Sequence, residues 1–155
     1  RRDRDIEQRY LNPPSCRVYS TVDVTIPASS GVVIPFNAVR WDSTGEGMWK
    51  VAEPTKIYAP FDGVYAAGIS TRHNGGGVTL SIHGTAWGVA KSYAAHDGGS
   101  PNAYLTISTE ISMRAGDYAQ FQMQNSEGVD RTIFANAAYS PEAHLTWLRP
   151  GVVIN

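Results

Sequence analysis

The chain has few of the features that stabilise small proteins through covalent or metal links. Its 155 residues include one cysteine, Cys16, so no disulfide can form within the chain. Four histidines lie in separate segments without the spacing of a zinc site or a HExxH motif, namely His73, His83, His96 and His144. We therefore expect no metal and no cofactor.

Signatures of catalysis are also missing. No GxSxG nucleophile elbow occurs, and the glycine run 75–77 lacks the Lys-Ser/Thr ending of a phosphate loop. Glutamates that could form a glycosidase pair are scattered, and we expect solvated turn or strand positions for them: Glu46, Glu53, Glu110, Glu127 and Glu142. The sequence predicts a protein that is not an enzyme.

Charge is sparse and balanced. Only 17% of residues are charged, and the formal net charge is −1. Nothing in this balance attracts nucleic acid or an anionic membrane, and no apolar run is long enough to cross a bilayer. We expect neither nucleic-acid binding nor membrane insertion.

What the sequence does contain is a regular alternation of apolar and polar residues, with a period of two. Apolar residues alternate with polar ones in three segments: Val22, Val24 and Ile26; Val78, Leu80 and Ile82; Ala119, Phe121 and Met123. Turn-forming residues separate such runs at 43–47, 74–77, 97–102, 115–117 and 125–128. This pattern predicts an all-β, antiparallel sandwich or jelly roll.

The N-terminal segment follows a different pattern. Residues 1–11 alternate in charge and place Asp5 four residues before Arg9, which favours a short helix. Two prolines then end it. We predict a helical and linker segment over 1–14 and a β domain over 15–155; the helix is either the end of a coiled-coil stalk or a frayed terminus.

Four segments carry a family resemblance. Ile57–Tyr65 resembles the C1q-family pattern of an aromatic-rich strand, a proline turn and Asp-Gly, and Ile111–Phe121 resembles the family's apolar strand with its Gly-Asp turn. Val33–Val39 is similar to the early strand, and Ala143–Leu148 to the closing one. The resemblance implies a C1q/TNF-like jelly-roll sandwich that associates as a homotrimer around a three-fold axis.

The aromatic content points toward association as well. Four Trp, eight Tyr and four Phe are many rings for one small sandwich to bury, so we expect some to pack across subunits. Tyr65 and Phe121, on the strands that carry the resemblance, are the predicted trimer-interface residues. The alternative is that both rings fill the interior of the sandwich.

Ligand-binding candidates lie near glycine-rich connections. Trp41, Trp49, Trp87 and Tyr93 could stack on sugars or fill a pocket of a partner, or they could be core and interface residues. Trp87 and Tyr93, with His96 nearby, are the predicted ligand-binding residues.

Calcium is a further alternative. The turn residues Asp97, Asp117 and Asp130 could supply oxygen ligands, and the resemblance includes family members that hold calcium near the axis. The EF-hand pattern is missing, so we expect these aspartates to stabilise turns.

The N-terminal stretch Arg2–Glu7 resembles segments in minor tail proteins of actinobacterial phages. Together the two resemblances predict a non-enzymatic trimeric module on a virion, at a tail or fibre tip that contacts other virion proteins and a glycan or protein of the host surface. Alternatives are a capsid decoration (head fibre) protein and a secreted bacterial lectin-like module.

Overall fold

A computed structural model describes residues 2–44, 47–86, 89–98, 104–136 and 140–151, with side chains for all of these except 2, 3, 5, 86 and 89–98. Within these ranges the chain forms a short helix followed by antiparallel strands, which confirms the predicted all-β jelly-roll class. The elements are α1 Arg2–Leu11, β1 Ser15–Tyr19, β2 Val24–Ile26, β3 Gly31–Val33, β4 Ala38–Asp42, β5 Trp49–Lys50, β6 Glu53–Tyr58, β7 Gly63–Arg72, β8 Val78–Ala86, β9 Val89–Gly98, β10 Tyr104–Met113, β11 Tyr118–Asn125, β12 Arg131–Ile133 and β13 Glu142–Arg149.

Two sheets pack face to face around one core. The first sheet has the strand order β10-β7-β13-β1-β4. The second has the order β5-β6-β11-β8-β9, with β3 also paired to β11, and β2 and β12 form a separate two-stranded ladder whose buried residues join the same core. Neighbours that are distant in sequence, such as β1 beside β13, are typical of a jelly roll.

The period-two segments place one side chain in two in the core. Two of the three predicted runs are buried throughout: Val78, Leu80 and Ile82 on β8, and Ala119, Phe121 and Met123 on β11. The third prediction is wrong at Val22, which is exposed. The Val22 amide donates a hydrogen bond to the Ser20 hydroxyl within a bend, and strand β2 therefore begins only at Val24.

The expected early strand 33–39 is two strands rather than one. Pro35 has no N–H and interrupts the ladder, and the chain crosses between the sheets at this point. Before the crossing, the Ile34 amide donates to the Phe121 carbonyl at 2.8 Å; after it, the Asn37 amide donates to the Tyr19 carbonyl at 3.1 Å. The segment 33–39 therefore contributes hydrogen bonds to both sheets.

Helix α1 packs against one end of the sandwich. The Tyr10 ring meets the Trp147 ring edge to face at 5.2 Å, and the Arg9 guanidinium lies 4.1 Å from the centre of the Phe61 ring. The Trp147 indole N–H donates to the carbonyl of Asp62 at 3.3 Å. The predicted helical segment is thus joined to the β domain by aromatic contacts.

The two main family-like segments meet at this same end. Ile111 on β10 pairs with Tyr65 on β7, and Tyr118 on β11 pairs with Tyr58 on β6. The Asp62 carboxylate accepts the Ala115 amide at 2.9 Å, so the Asp-Gly turn and the Gly-Asp turn are bonded directly to each other.

Candidate functional site

The candidate site is the solvent-facing side of the first sheet, which we call the outer face. Alternate residues of β1, β7, β10 and β13 project there, because the residues between them point into the core, and exposed residues of the edge strand β4 continue the surface. The strand register arranges the central ones in three rows: Thr106, Ser70, Glu142, Tyr19 and Ala38; Ser108, Gly68, His144, Arg17 and Trp41; Glu110, Ala66, Thr146 and Ser15. Tyr104 and Arg72 form a further pair of the same face, beyond Thr106 and Ser70.

The centre of the outer face is flat. Gly68 and Ala66 leave little side chain on β7, and the ring of His144 from the neighbouring strand lies across Gly68. A Cβ at Gly68 would overlap this ring and approach its Nε2 to 3.1 Å. The absence of a side chain at Gly68 is therefore what lets the imidazole lie against the sheet.

Beside this centre lies a charged cluster of one carboxylate and two guanidinium groups. Arg17 is 3.2 Å from Glu142 between Nε and Oε1, and Arg40 donates from Nε to the same carboxylate. The side chain of Glu142 is only 4% exposed, whereas those of Arg17 and Arg40 are 35% and 32% exposed. The cluster satisfies the buried carboxylate and leaves one net positive charge at the surface.

Aromatic rings border the cluster. The Arg40 guanidinium lies 4.5 Å from the centre of the Tyr19 ring, and that of Arg17 lies 5.7 Å from the Trp41 ring. The Trp41 indole donates to the Ser15 hydroxyl at 3.0 Å, which fixes the ring although it is 47% exposed. Arginine and tryptophan held in this way are the side chains most enriched at the centres of protein interfaces.

The opposite edge of the outer face carries the same chemistry. Tyr104 on β10 is 58% exposed, and the Arg72 guanidinium lies 5.6 Å from the centre of its ring. Both edges thus offer an aromatic ring beside an arginine, with the flat centre between them.

His144 is the ionisable group at the middle of this surface. Burial lowers its pKa below the ordinary value of 6.5, the nearby Arg17 charge lowers it further, and Glu142 opposes them. The imidazole is accordingly neutral at pH 7.

The predicted interface residues Tyr65 and Phe121 lie elsewhere. Both are fully buried inside one chain: the Tyr65 hydroxyl donates to the Phe61 carbonyl at 2.7 Å, and the Phe121 ring meets the Phe36 ring at 6.0 Å. Burial raises the pKa of Tyr65 to about 12. This placement matches the alternative in which both rings fill the sandwich. A side chain that is already covered within one chain has no surface left for contact with another.

The structure describes the predicted ligand-binding residues only in part. Trp87 lies outside the described residues; Tyr93 and His96 lie on β9, where only the backbone is described. Their role stays a prediction. Of the other tryptophans considered, Trp49 is buried and donates to the Pro54 carbonyl at 3.0 Å, whereas Trp41 belongs to the outer face.

The turn aspartates stabilise the backbone, as expected. The Asp117 carboxylate accepts the amide of Arg114 at 2.8 Å, and that of Asp130 accepts the amide of Ala28 at 2.9 Å. The side chain of Asp97 is outside the described part. Among described residues, no three His, Cys, Asp or Glu side chains gather in a way that could hold a metal ion, and no helix there has the length and apolarity to span a membrane.

The charged cluster was missed from the sequence. Glu142 was expected to be solvated but is buried, and Arg17 was not singled out although it lies on a strand beside buried residues. A charged residue at an alternating strand position does indicate a polar face. Its partner, however, is 125 residues away and follows only from the register of β1 and β13.

Comparisons with known proteins show the fold. No family model matches the chain, and no curated protein matches it by sequence. Among solved structures, murine APRIL at pH 8.5 is 6% identical with a TM-score of 0.65, over 88% of this chain and 99% of that one. Eiger TNF from S. frugiperda is 10% identical with a TM-score of 0.63, over 93% and 98%. The globular domain of zebrafish complement 1qA is 15% identical with a TM-score of 0.56, over 88% and 96%. The chain has the C1q/TNF-like jelly-roll fold.

Proposed function

We propose that the protein is a non-enzymatic binding module that works as a homotrimer, with its subunits in contact through the outer face. The observation that carries this proposal is the composition of that face: a flat centre at Gly68 and Ala66 with exposed Trp41 and Tyr104 at its two edges. The family-like segments in the sequence imply the same assembly.

The arrangement suits a cyclic trimer. Contacts in such a ring are heterologous, so the two edges of one outer face meet different parts of the neighbouring chains. The arginine-stacked rings of Trp41 and Tyr104 are held in place before association, which reduces the entropy lost on binding. The buried carboxylate of Glu142 already has its partners within one chain, so covering it leaves no carboxylate without a partner.

Molar mass in solution tests the assembly. At micromolar concentration we expect wild-type protein at three times the 16.8 kDa of the chain. Ser108→Arg places a long charged side chain on an exposed position of the outer face and should give a monomer. Thr25→Arg makes the same change at an exposed strand position of the small β2–β12 sheet and should leave the trimer intact. A wild-type monomer would overturn the proposal.

For the biological setting, we propose a virion: a tail or fibre tip that binds a glycan or protein of the host surface. The support is the phage-like stretch Arg2–Glu7 together with the lack of catalytic motifs in the sequence. Trp87, Tyr93 and His96 remain the proposed ligand contacts.

Adsorption of the purified domain tests this setting. A tip protein should bind actinobacterial cells, and binding should weaken on Tyr93→Ala. Association with capsids and not with cells would point to a decoration protein instead and would contradict the tip assignment.

A further inference from the structure

We infer that association of the subunits is sensitive to acid and that His144 is the residue that makes it so. The inference rests on the proposed trimer and adds a means of its control. Its basis is the position of His144 in the outer face and the charges that surround it.

His144 lies at the geometric centre of the face. It belongs to β13, the third of the five strands, and to the middle of the three rows. Its ring is half-buried in one chain already, where it lies across Gly68. A subunit placed over the outer face would remove the remaining water from the imidazole.

The charges facing His144 come from three strands. On β13 itself the nearest is Glu142, on β1 it is Arg17, which pairs directly with His144, and on β4 it is Arg40, which reaches the same carboxylate. Glu142 therefore already bonds two guanidinium groups. It has little capacity left to stabilise a third positive charge.

The other two strands supply no better partner. On β7 the facing residues are Gly68, Ala66 and Ser70, which carry no charge. On β10 the nearest carboxylate is Glu110, which lies one row away and is bound to Arg149 at 2.9 Å. An imidazolium at the centre would thus face an arginine without a free carboxylate beside it.

Assembly therefore favours the neutral ring. Burial and Arg17 already lower the pKa of His144 in one chain, and a covering subunit lowers it further. The assembled state binds fewer protons than the separate chains, so acid favours dissociation. In the pH range where the free chain is protonated and the assembled chain is not, each subunit changes the dissociation constant tenfold per pH unit. The three subunits together change it roughly 1000-fold per pH unit.

The experiment measures molar mass by sedimentation from about pH 8 to about pH 5, across the range in which histidine titrates. Three proteins are compared: wild type, His144→Gln, and the matched control His83→Gln. His83 lies on β8 in the second sheet and contacts the Ser81 hydroxyl, away from the outer face. Circular dichroism at each pH records whether the strands persist.

We expect wild type and His83→Gln to dissociate into folded monomers on acidification, and His144→Gln to stay trimeric. A wild type that stays trimeric throughout, or a His144→Gln protein that dissociates as wild type does, would overturn the inference and leave the proposed trimer standing. Wild type that is monomeric at every pH would overturn the trimer and this inference with it.

Discussion

Glu142→Gln is the substitution that probes the charged cluster most sharply. The amide keeps the shape of the side chain but removes the charge, so the bonds from Arg17 and Arg40 lose their ionic character. A hydrogen bond to a charged group contributes about 1.5–3 kcal/mol when buried. Because both guanidinium groups are about one third exposed, hydration of each one offsets part of this lost energy. We expect a loss of about 1–3 kcal/mol in the free energy of unfolding.

The assay is urea unfolding followed by circular dichroism. It is best done in a Ser108→Arg background, which we expect to be monomeric, so that dissociation does not add to unfolding. Glu110→Gln is the matched control, since the Glu110–Arg149 pair, at 2.9 Å, is no longer than the Arg17–Glu142 pair at 3.2 Å but is exposed, and it should cost less than about 0.5 kcal/mol. Equal losses in the free energy of unfolding for Glu142→Gln and Glu110→Gln would refute the argument that burial of Glu142 makes the charged cluster stabilising.

Three further predictions concern the core and its edges. Burial raises the pKa of the Cys16 thiol to about 12, with Asp42 adding to the shift, so native protein should react with a thiol reagent far more slowly than urea-unfolded protein; equal rates would contradict this. Gly63→Ala should cost about 2–4 kcal/mol in urea unfolding, because a Cβ there, at a positive φ of 156°, would overlap the Trp147 indole and lie 2.7 Å from the Arg149 carbonyl oxygen; an unchanged midpoint would contradict this. Burial lowers the pKa of His73, so the unfolded chain binds a proton that the folded chain does not, and the free energy of unfolding should fall as the pH drops below 6.5; His73→Gln should reduce that dependence, and an identical pH profile would rule this residue out.

Alternation along the chain was enough to predict the fold class. The runs at Val78 to Ile82 and Ala119 to Met123 are buried as their period implies, since one face of each sheet packs on the other. Alternation failed at Val22, which lies in a bend before β2. The family resemblance failed at Pro35, where the expected strand 33–39 crosses between the sheets and the hydrogen-bond partners change.

The site was harder to predict because it depends on register. Arg17 and Glu142 are distant in sequence and come together only when β1 pairs with β13. The flat centre at Gly68 has no signal of its own, since a glycine in a strand has several explanations. Phe121 alternates with glutamines, whereas Tyr65 lies between Val64 and Ala66, and neither pattern separates a core position from an interface position. Burial within one chain follows only when the second sheet covers the first.

The central claim is that copies of the chain meet through the outer face. Hydroxyl-radical footprinting at about pH 8 tests it directly, by comparing the oxidation of single side chains in wild type and Ser108→Arg. We predict that Trp41 and Tyr104 are protected in wild type and oxidised in the variant, while Tyr118 on the second sheet reacts equally in both. Equal oxidation of Trp41 and Tyr104 in the two proteins would contradict the account.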